Sequence, residues 1–174
     1  MRAFIAIAVP SELKDIFLET QKSFFDLGLI TFVKKEHMHI TLKFFRDVSE
    51  TQLTIIKERL RRISFSSFEI IFKDIGVFPN EDNARVLWVG AQSNELLQLY
   101  QEIDKVIEEF FKTEEFHAHL TLGRIKYLSE KEEFKERLQK KIYGSFFVKE
   151  FSLIQSILQK DGHTYSILET YPLS

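Results

Sequence analysis

Seven apolar positions, Ala3 to Val9, open the chain, and Pro10, Ser11 and Glu12 end the run. It is shorter than the roughly 15–30 residues of an export leader or the ~20 of a membrane span, so a buried first strand is expected. From Ser11 the period changes: Leu13, Ile16, Phe17, Phe24 and Leu27 recur at helical spacing over Glu12 to Gly28. Met38 to Phe45 alternates as a half-buried strand does. Ser49-Glu-Thr-Gln52 then matches a capping box, in which the serine hydroxyl and the residue three later satisfy orphan backbone donors of a helix start. A β-prone run from Phe65 to Phe78, a turn over Pro79 to Asn83 and a strand from Arg85 to Ala91 follow.

The same order then repeats. Ser93 opens a helical stretch to Lys112 with Leu96, Leu97, Tyr100, Ile103, Ile107 and Phe110 on one face, and Phe116 to Ile125 alternates as a strand. Ser129-Glu-Lys-Glu132 again reads as a capping box, before a β-prone run Ser145 to Gln159, a turn at Asp161-Gly-His163 and a strand Thr164 to Tyr171. The repetition extends to residue identity at an offset of 80: His37-Met-His39-Ile-Thr41-Leu42 recurs as His117-Ala-His119-Leu-Thr121-Leu122. An internal duplication over about 11–91 and 93–171 is therefore expected. No Pro/Gly/Ser linker separates the halves, which predicts one domain, residues 1–174, of two interlocked lobes. The fold class is α+β, with mainly antiparallel sheets and a central cleft between pseudo-symmetric halves.

Composition narrows the function classes. With 24 Lys+Arg against 26 Asp+Glu, the net charge of −2 argues against a protein that coats nucleic acid by neutralising many phosphates, although a nucleotide or a single RNA end remains compatible. The absence of Cys removes disulfides, thiol catalysis and Cys-ligated metal, and fits a cytoplasmic location. Phe supplies 18 of the aromatics, spread along the chain, and most are assigned to the core.

Strand alternation puts His39 and Thr41 on one face with Ile40 and Leu42 on the other, and likewise His119 and Thr121. If both strands lie near an approximate two-fold axis, two His-Thr pairs face one cleft. Two imidazoles suit a reaction that removes one proton and delivers another, and two hydroxyls can donate to an anion's oxygens. Phosphodiester hydrolysis asks for those parts and requires no metal. Two other readings stay open. His37 and His117 share the parity, so two His-x-His pairs could hold a transition metal, although neither motif strand carries an in-phase carboxylate. A third reading is a non-catalytic module that binds RNA ends and keeps the fold without turnover, which the intact paired motif disfavours.

Paired His-x-Thr-Leu motifs about half a chain apart resemble the two-histidine (2H) phosphoesterases. The likeness extends to Arg2-Ala-Phe-Ile-Ala-Ile7, His39-Ile-Thr-Leu-Lys-Phe44, Val77-Phe-Pro79, Ala84-Arg-Val-Leu-Trp-Val-Gly90 and His119-Leu-Thr-Leu-Gly-Arg-Ile125. The chain is thus similar over nearly its whole length to the RNA 2′,3′-cyclic phosphodiesterase branch, also called 2′-5′ RNA ligases or LigT-like proteins. The resemblance implies hydrolysis of 2′,3′-cyclic phosphates at RNA or nucleotide ends to 2′-phosphates, with no cofactor, and a weak reverse 2′-5′ ligation. It implies His39 as proton donor, His119 as proton acceptor, and Thr41 and Thr121 as phosphate-binding hydroxyls. The expected partners are RNA ends or nucleotides, with no membrane, and the protein is expected to be a monomer.

Two cations are candidate substrate contacts. Lys43 is in phase with His39 and Thr41, so simple alternation puts its ammonium at the cleft edge. Arg124 matches the family's arginine after the second motif but is out of phase, and needs a bulge that Gly123 permits. Trp88, Phe44, Phe45, Tyr165 and Tyr171 are possible base-stacking partners, although such residues are more often core or strand filling, and His163 is given no role beyond its turn.

Overall fold

Nine strands and four helices are built from this pattern in a computed structural model that describes residues 1–160 and 162–174. The strands are β1 (Arg2–Ala8), β2 (Gly28–Phe32), β3 (His39–Phe45), β4 (Phe68–Phe78), β5 (Val86–Gln92), β6 (His119–Leu128), β7 (Ile142–Val148), β8 (Glu150–Gln159) and β9 (Gly162–Pro172). The helices are α1 (Ser11–Lys22), α2 (Glu50–Leu60), α3 (Asn94–Ile107) and α4 (Lys131–Glu136), with short 3-10 turns at Lys35–His37 and Glu81–Asn83.

The strands run in the order β7-β4-β5-β6-β3-β1-β8-β9, with β2 added beside β6, and every pairing is antiparallel. The two motif strands, β3 and β6, meet at the centre through one residue pair, Ile40 opposite Leu120. On either side the strands splay, which divides the sheet into two lobes and opens a cleft between them. Strand β1 lies beside β3 as β5 lies beside β6, while β4 pairs with β5 and β8 pairs with β1. The repeating unit is therefore β1-α1-β3-α2-β4 and β5-α3-β6-α4-β8, one strand earlier in phase than the sequence pattern indicates. The last strand of each unit completes the other lobe.

Helix faces follow the expected spacing where they are buried. In α1, Leu13, Phe17 and Gln21 face inward, and in α3 Leu96, Leu99, Tyr100, Ile103, Asp104 and Ile107 do. Leu97, placed on that face by sequence, is exposed instead. The helix expected to reach Gly28 ends at Lys22. The chain is needed there for β2, and Gly28 runs so close to β6 that a Cβ would stand 2.1 Å from the Tyr127 carbonyl oxygen. The Ser49–Gln52 capping box forms as expected. Its counterpart does not: α4 is capped by Glu130 with no side-chain bond, because the Ser129 and Glu130 amides both donate to the Leu27 carbonyl at 3.0 and 3.3 Å.

The run Ser145 to Gln159 is two strands broken at Lys149, with β7 pairing β4 in one lobe and β8 pairing β1 in the other. The turn expected at Asp161-Gly-His163 includes Asp161, which lies outside the described residues. Strands β8 and β9 are paired up to Gln159 and Gly162 on either side of it. No helix among the described residues is long and apolar enough to cross a membrane.

Candidate active site

The central register decides which side chains meet. Antiparallel pairing at Ile40 and Leu120 puts His39 across from Thr121 and Thr41 across from His119. The two imidazoles occupy one diagonal of this arrangement and the two hydroxyls the other. All four line a single cleft of about 430 Å³. Behind each histidine the neighbouring strand carries a small residue, Ala8 opposite His39 and Gly90 opposite His119, and a Cβ at Gly90 would stand 2.6 Å from the Lys73 carbonyl oxygen.

Immediately after the threonines both strands bulge. Lys43 and Thr41 pair with the consecutive residues Ile5 and Ala6, leaving Leu42 as an extra residue. In β6, Gly123 and Thr121 pair with Leu87 and Trp88, leaving Leu122 extra. A bulge reverses the facing of every later side chain. Phe44 and Arg124 thereby turn into the cleft. Arg124 is placed as its bulge requirement foresaw, at a glycine whose added Cβ would lie 2.9 Å from Ile30 Cγ2 on the covering strand β2.

Lys43 is the correction. It is not at the cleft edge; it is only 4% exposed, and its ammonium donates to Asp104 Oδ1 and to the Lys112 carbonyl, both at 2.6 Å. The same kind of bulge that presents Arg124 sends Lys43 through the sheet toward α3.

Each imidazole is held by the backbone two residues before it. His119 Nδ1 lies 2.6 Å from the His117 carbonyl oxygen, and the His37 backbone is the corresponding partner of His39. A carbonyl can only accept, so Nδ1 of His119 carries the proton, and its Nε2 lone pair is left for the cleft. Aromatic rings enclose both imidazoles: Phe4 stacks on His39 at 4.8 Å with Tyr165 edge-on at 5.6 Å, and Phe78 meets His119 edge-on at 5.0 Å. This burial pushes His39 down to about 4, opposed by the His37 carbonyl, and lowers His119 for the same leading reason, with Arg124 adding to the effect. Both are therefore neutral near neutrality in the free protein.

His37 and His117 thus act through their carbonyls. The His37 ring packs on Tyr165 at 4.6 Å and the His117 ring on Phe78 at 5.6 Å. Among the described residues no three His, Cys, Asp or Glu side chains gather in a metal-holding arrangement. Of the aromatic candidates, Phe44 and Tyr165 line the cleft, Trp88 stands 6.4 Å from the His119 ring, and Phe45 and Tyr171 are buried. Sequence reasoning missed Phe4, Thr31, Lys34, Ser156 and His163, all of which line the cleft. His163 Nδ1 and Ser156 Oγ are 3.2 Å apart. Only the pairing of β8 with β1 and of β9 with β8 brings these two residues to the site, and no local signal marks them.

The family described as LigT-like phosphoesterases matches the chain twice, over residues 7–88 and 89–165. An RNA 2′,3′-cyclic phosphodiesterase of Methanocaldococcus jannaschii is 36% identical, over 98% of this chain and 100% of that protein. One of Thermotoga maritima is 34% identical over 97% and 93%. Among solved structures, TT0787 of Thermus thermophilus superposes with a TM-score of 0.87 at 25% identity, covering 99% of this chain and 97% of that one. Escherichia coli LigT in complex with 3′-AMP shares the fold, with a TM-score of 0.81 at 24% identity over 99% and 98%.

Proposed function

The chain belongs to the LigT-like, two-histidine phosphoesterase family, and from that premise we propose that it hydrolyses 2′,3′-cyclic phosphates at RNA ends to 2′-phosphates through His39 and His119. The single observation that carries this reading is the diagonal arrangement of two histidines and two threonines around one cleft, set by the Ile40–Leu120 pairing. Curated relatives named RNA 2′,3′-cyclic phosphodiesterase support the substrate class.

In this mechanism the cyclic phosphate sits between the diagonals. Thr41 and Thr121 donate to its non-bridging oxygens, and Arg124 adds a positive charge at the cleft wall. Nε2 of His119 takes a proton from water as the water oxygen bonds to phosphorus. On the opposite side, Nε2–H of His39 delivers a proton to the departing ribose 3′ oxygen as the P–O3′ bond breaks, leaving the 2′-phosphate. Both imidazoles are neutral before substrate arrives, so the proton on His39 comes with binding: a phosphodiester anion in a poorly solvated cleft stabilises the imidazolium beside it. The assignment of donor and acceptor follows the family. Ligation follows the same path with the 5′-hydroxyl of a second strand in place of water, giving a 2′-5′ bond as P–O3′ breaks, and is weak because water competes with that hydroxyl. The protein acts as one domain of interlocked lobes, a monomer in the cytoplasm.

The test is hydrolysis of RNA ending in a 2′,3′-cyclic phosphate in excess chelator, with identification of the product isomer. Chelator-resistant formation of a 2′-phosphate, lost in His39→Ala and His119→Ala, is expected. Activity abolished by chelator and restored by metal, or binding without turnover, overturns it.

A further inference from the structure

Beyond the reacting centre the cleft does not end. A second cavity of about 390 Å³ adjoins it and shares five of its walls: Lys34, His37, Gly162, His163 and Tyr165. It continues between the 3-10 turn at Lys35–His37 and the start of β9, where Glu36, Gln159 and Thr164 line it alone. Resting on the function proposed above, we propose that this cavity holds the penultimate nucleotide of the substrate, so that the protein acts on oligonucleotide ends in preference to free cyclic mononucleotides.

The argument starts from size. Pockets that enclose one drug-sized ligand measure roughly 300–1,000 Å³. The catalytic cleft, at about 430 Å³, suits one nucleotide, and the two cavities together suit a dinucleotide. Chemistry at the shared boundary agrees. A strand that ends in a 2′,3′-cyclic phosphate has one remaining link, from its terminal 5′ oxygen to the next phosphate. That phosphate lies one ribose away from the reacting phosphorus, and the inference places it at the walls that the two cavities share. The boundary carries the Lys34 ammonium and the His163 imidazole, the latter supported by Ser156 at 3.2 Å. A cation and a hydrogen-bonding ring there match an internucleotide phosphate, a contact that positions the strand without reading its sequence.

The same boundary offers ring faces. Tyr165 and His37 pack against each other at 4.6 Å, and Tyr165 is 37% exposed. A base stacked on an exposed aromatic is held independently of its identity, as suits a protein that processes ends of varied sequence. Glu36 opposes this binding, since its carboxylate lines the outer cavity with no counterpart among the described residues of the catalytic cleft. It supplies a sign test.

The experiment compares kcat/KM for a dinucleotide ending in a 2′,3′-cyclic phosphate with that for the matching mononucleoside cyclic phosphate, in wild type, Thr164→Glu and Glu36→Gln. Both positions are exposed. Wild type is expected to favour the dinucleotide by about tenfold or more, from phosphate and stacking contacts. A carboxylate at position 164 should remove most of that preference, while loss of the one at position 36 should increase it about two- to fivefold by lifting like-charge repulsion. Mononucleotide turnover should be unchanged in both. Equal use of the two substrates by wild type, or a dinucleotide preference indifferent to both substitutions, overturns this inference and leaves the proposed function standing. Failure to cleave either substrate overturns the function itself.

Discussion

The Lys43 ammonium lies 2.6 Å from the Asp104 carboxylate, and both side chains are almost fully withdrawn from water, at 4% and 7% exposure. Lys43 follows the first motif on β3; Asp104 lies on α3 and also accepts from Thr113 Oγ1 at 2.5 Å, while Lys43 reaches the Lys112 carbonyl. The pair therefore pins the irregular chain that leads from α3 to the second motif. A buried ion pair is weak evidence for net stability, but breaking one partner leaves an uncompensated charge. Lys43→Met is expected to cost about 3–5 kcal/mol, and adding Asp104→Leu to recover most of it. Urea unfolding midpoints check both.

Strand exchange predicts how the chain unfolds. Because β4 completes the lobe of the second motif and β8 that of the first, neither half has a complete sheet by itself. A single cooperative transition is expected, with circular dichroism and Trp88 fluorescence coincident. Separate transitions for the two signals would show independent lobes.

The histidines set the pH response. His39 titrates at about 4 in the folded protein, against ~6.5 when unfolded. Between these values the unfolded chain binds more protons, so stability is unaffected by this group above ~6.5 and falls as pH drops toward 4, by about 3 kcal/mol in all. NMR titration of the ring should show the low midpoint in the free protein and a rise on adding inorganic phosphate. A midpoint near ~6.5 without phosphate would remove the enclosure by Phe4 and Tyr165 as its cause.

Thr41→Val and Thr121→Val keep shape and remove a hydroxyl. A hydrogen bond to a charged group contributes roughly 1.5–3 kcal/mol, so each should lower kcat/KM by about 10- to 100-fold with the fold intact. Their places across from His119 and His39 make the two losses similar in size. Initial rates on cyclic-phosphate RNA give the comparison.

Much of the site was legible because it is local. His39, Thr41, His119 and Thr121 share a face by strand alternation alone, and duplication at an offset of 80 marks them as a pair of pairs. Lys43 was misplaced for a physical reason: parity holds only while a strand is regular, and the bulge at Leu42 reverses it. At Gly123 the need for a bulge was visible because glycine tolerates it; at Lys43 nothing in the residue type announced one. The capping box at Ser129 failed similarly, since Leu27, far away in sequence, supplies the carbonyl that takes the Ser129 amide.

The chain's own order of residues determined the repeat, the α+β elements and the four groups that face the cleft, all consequences of period and identity within short windows. Tertiary structure alone decided that β4 and β8 cross to the opposite lobes, that Phe4, Tyr165 and Phe78 enclose the imidazoles, and that Lys34, Ser156 and His163 reach the cleft. Those outcomes depend on pairings between residues far apart in sequence. Such contacts are selected by the packing of the whole sheet and leave no periodic trace in the segments that make them.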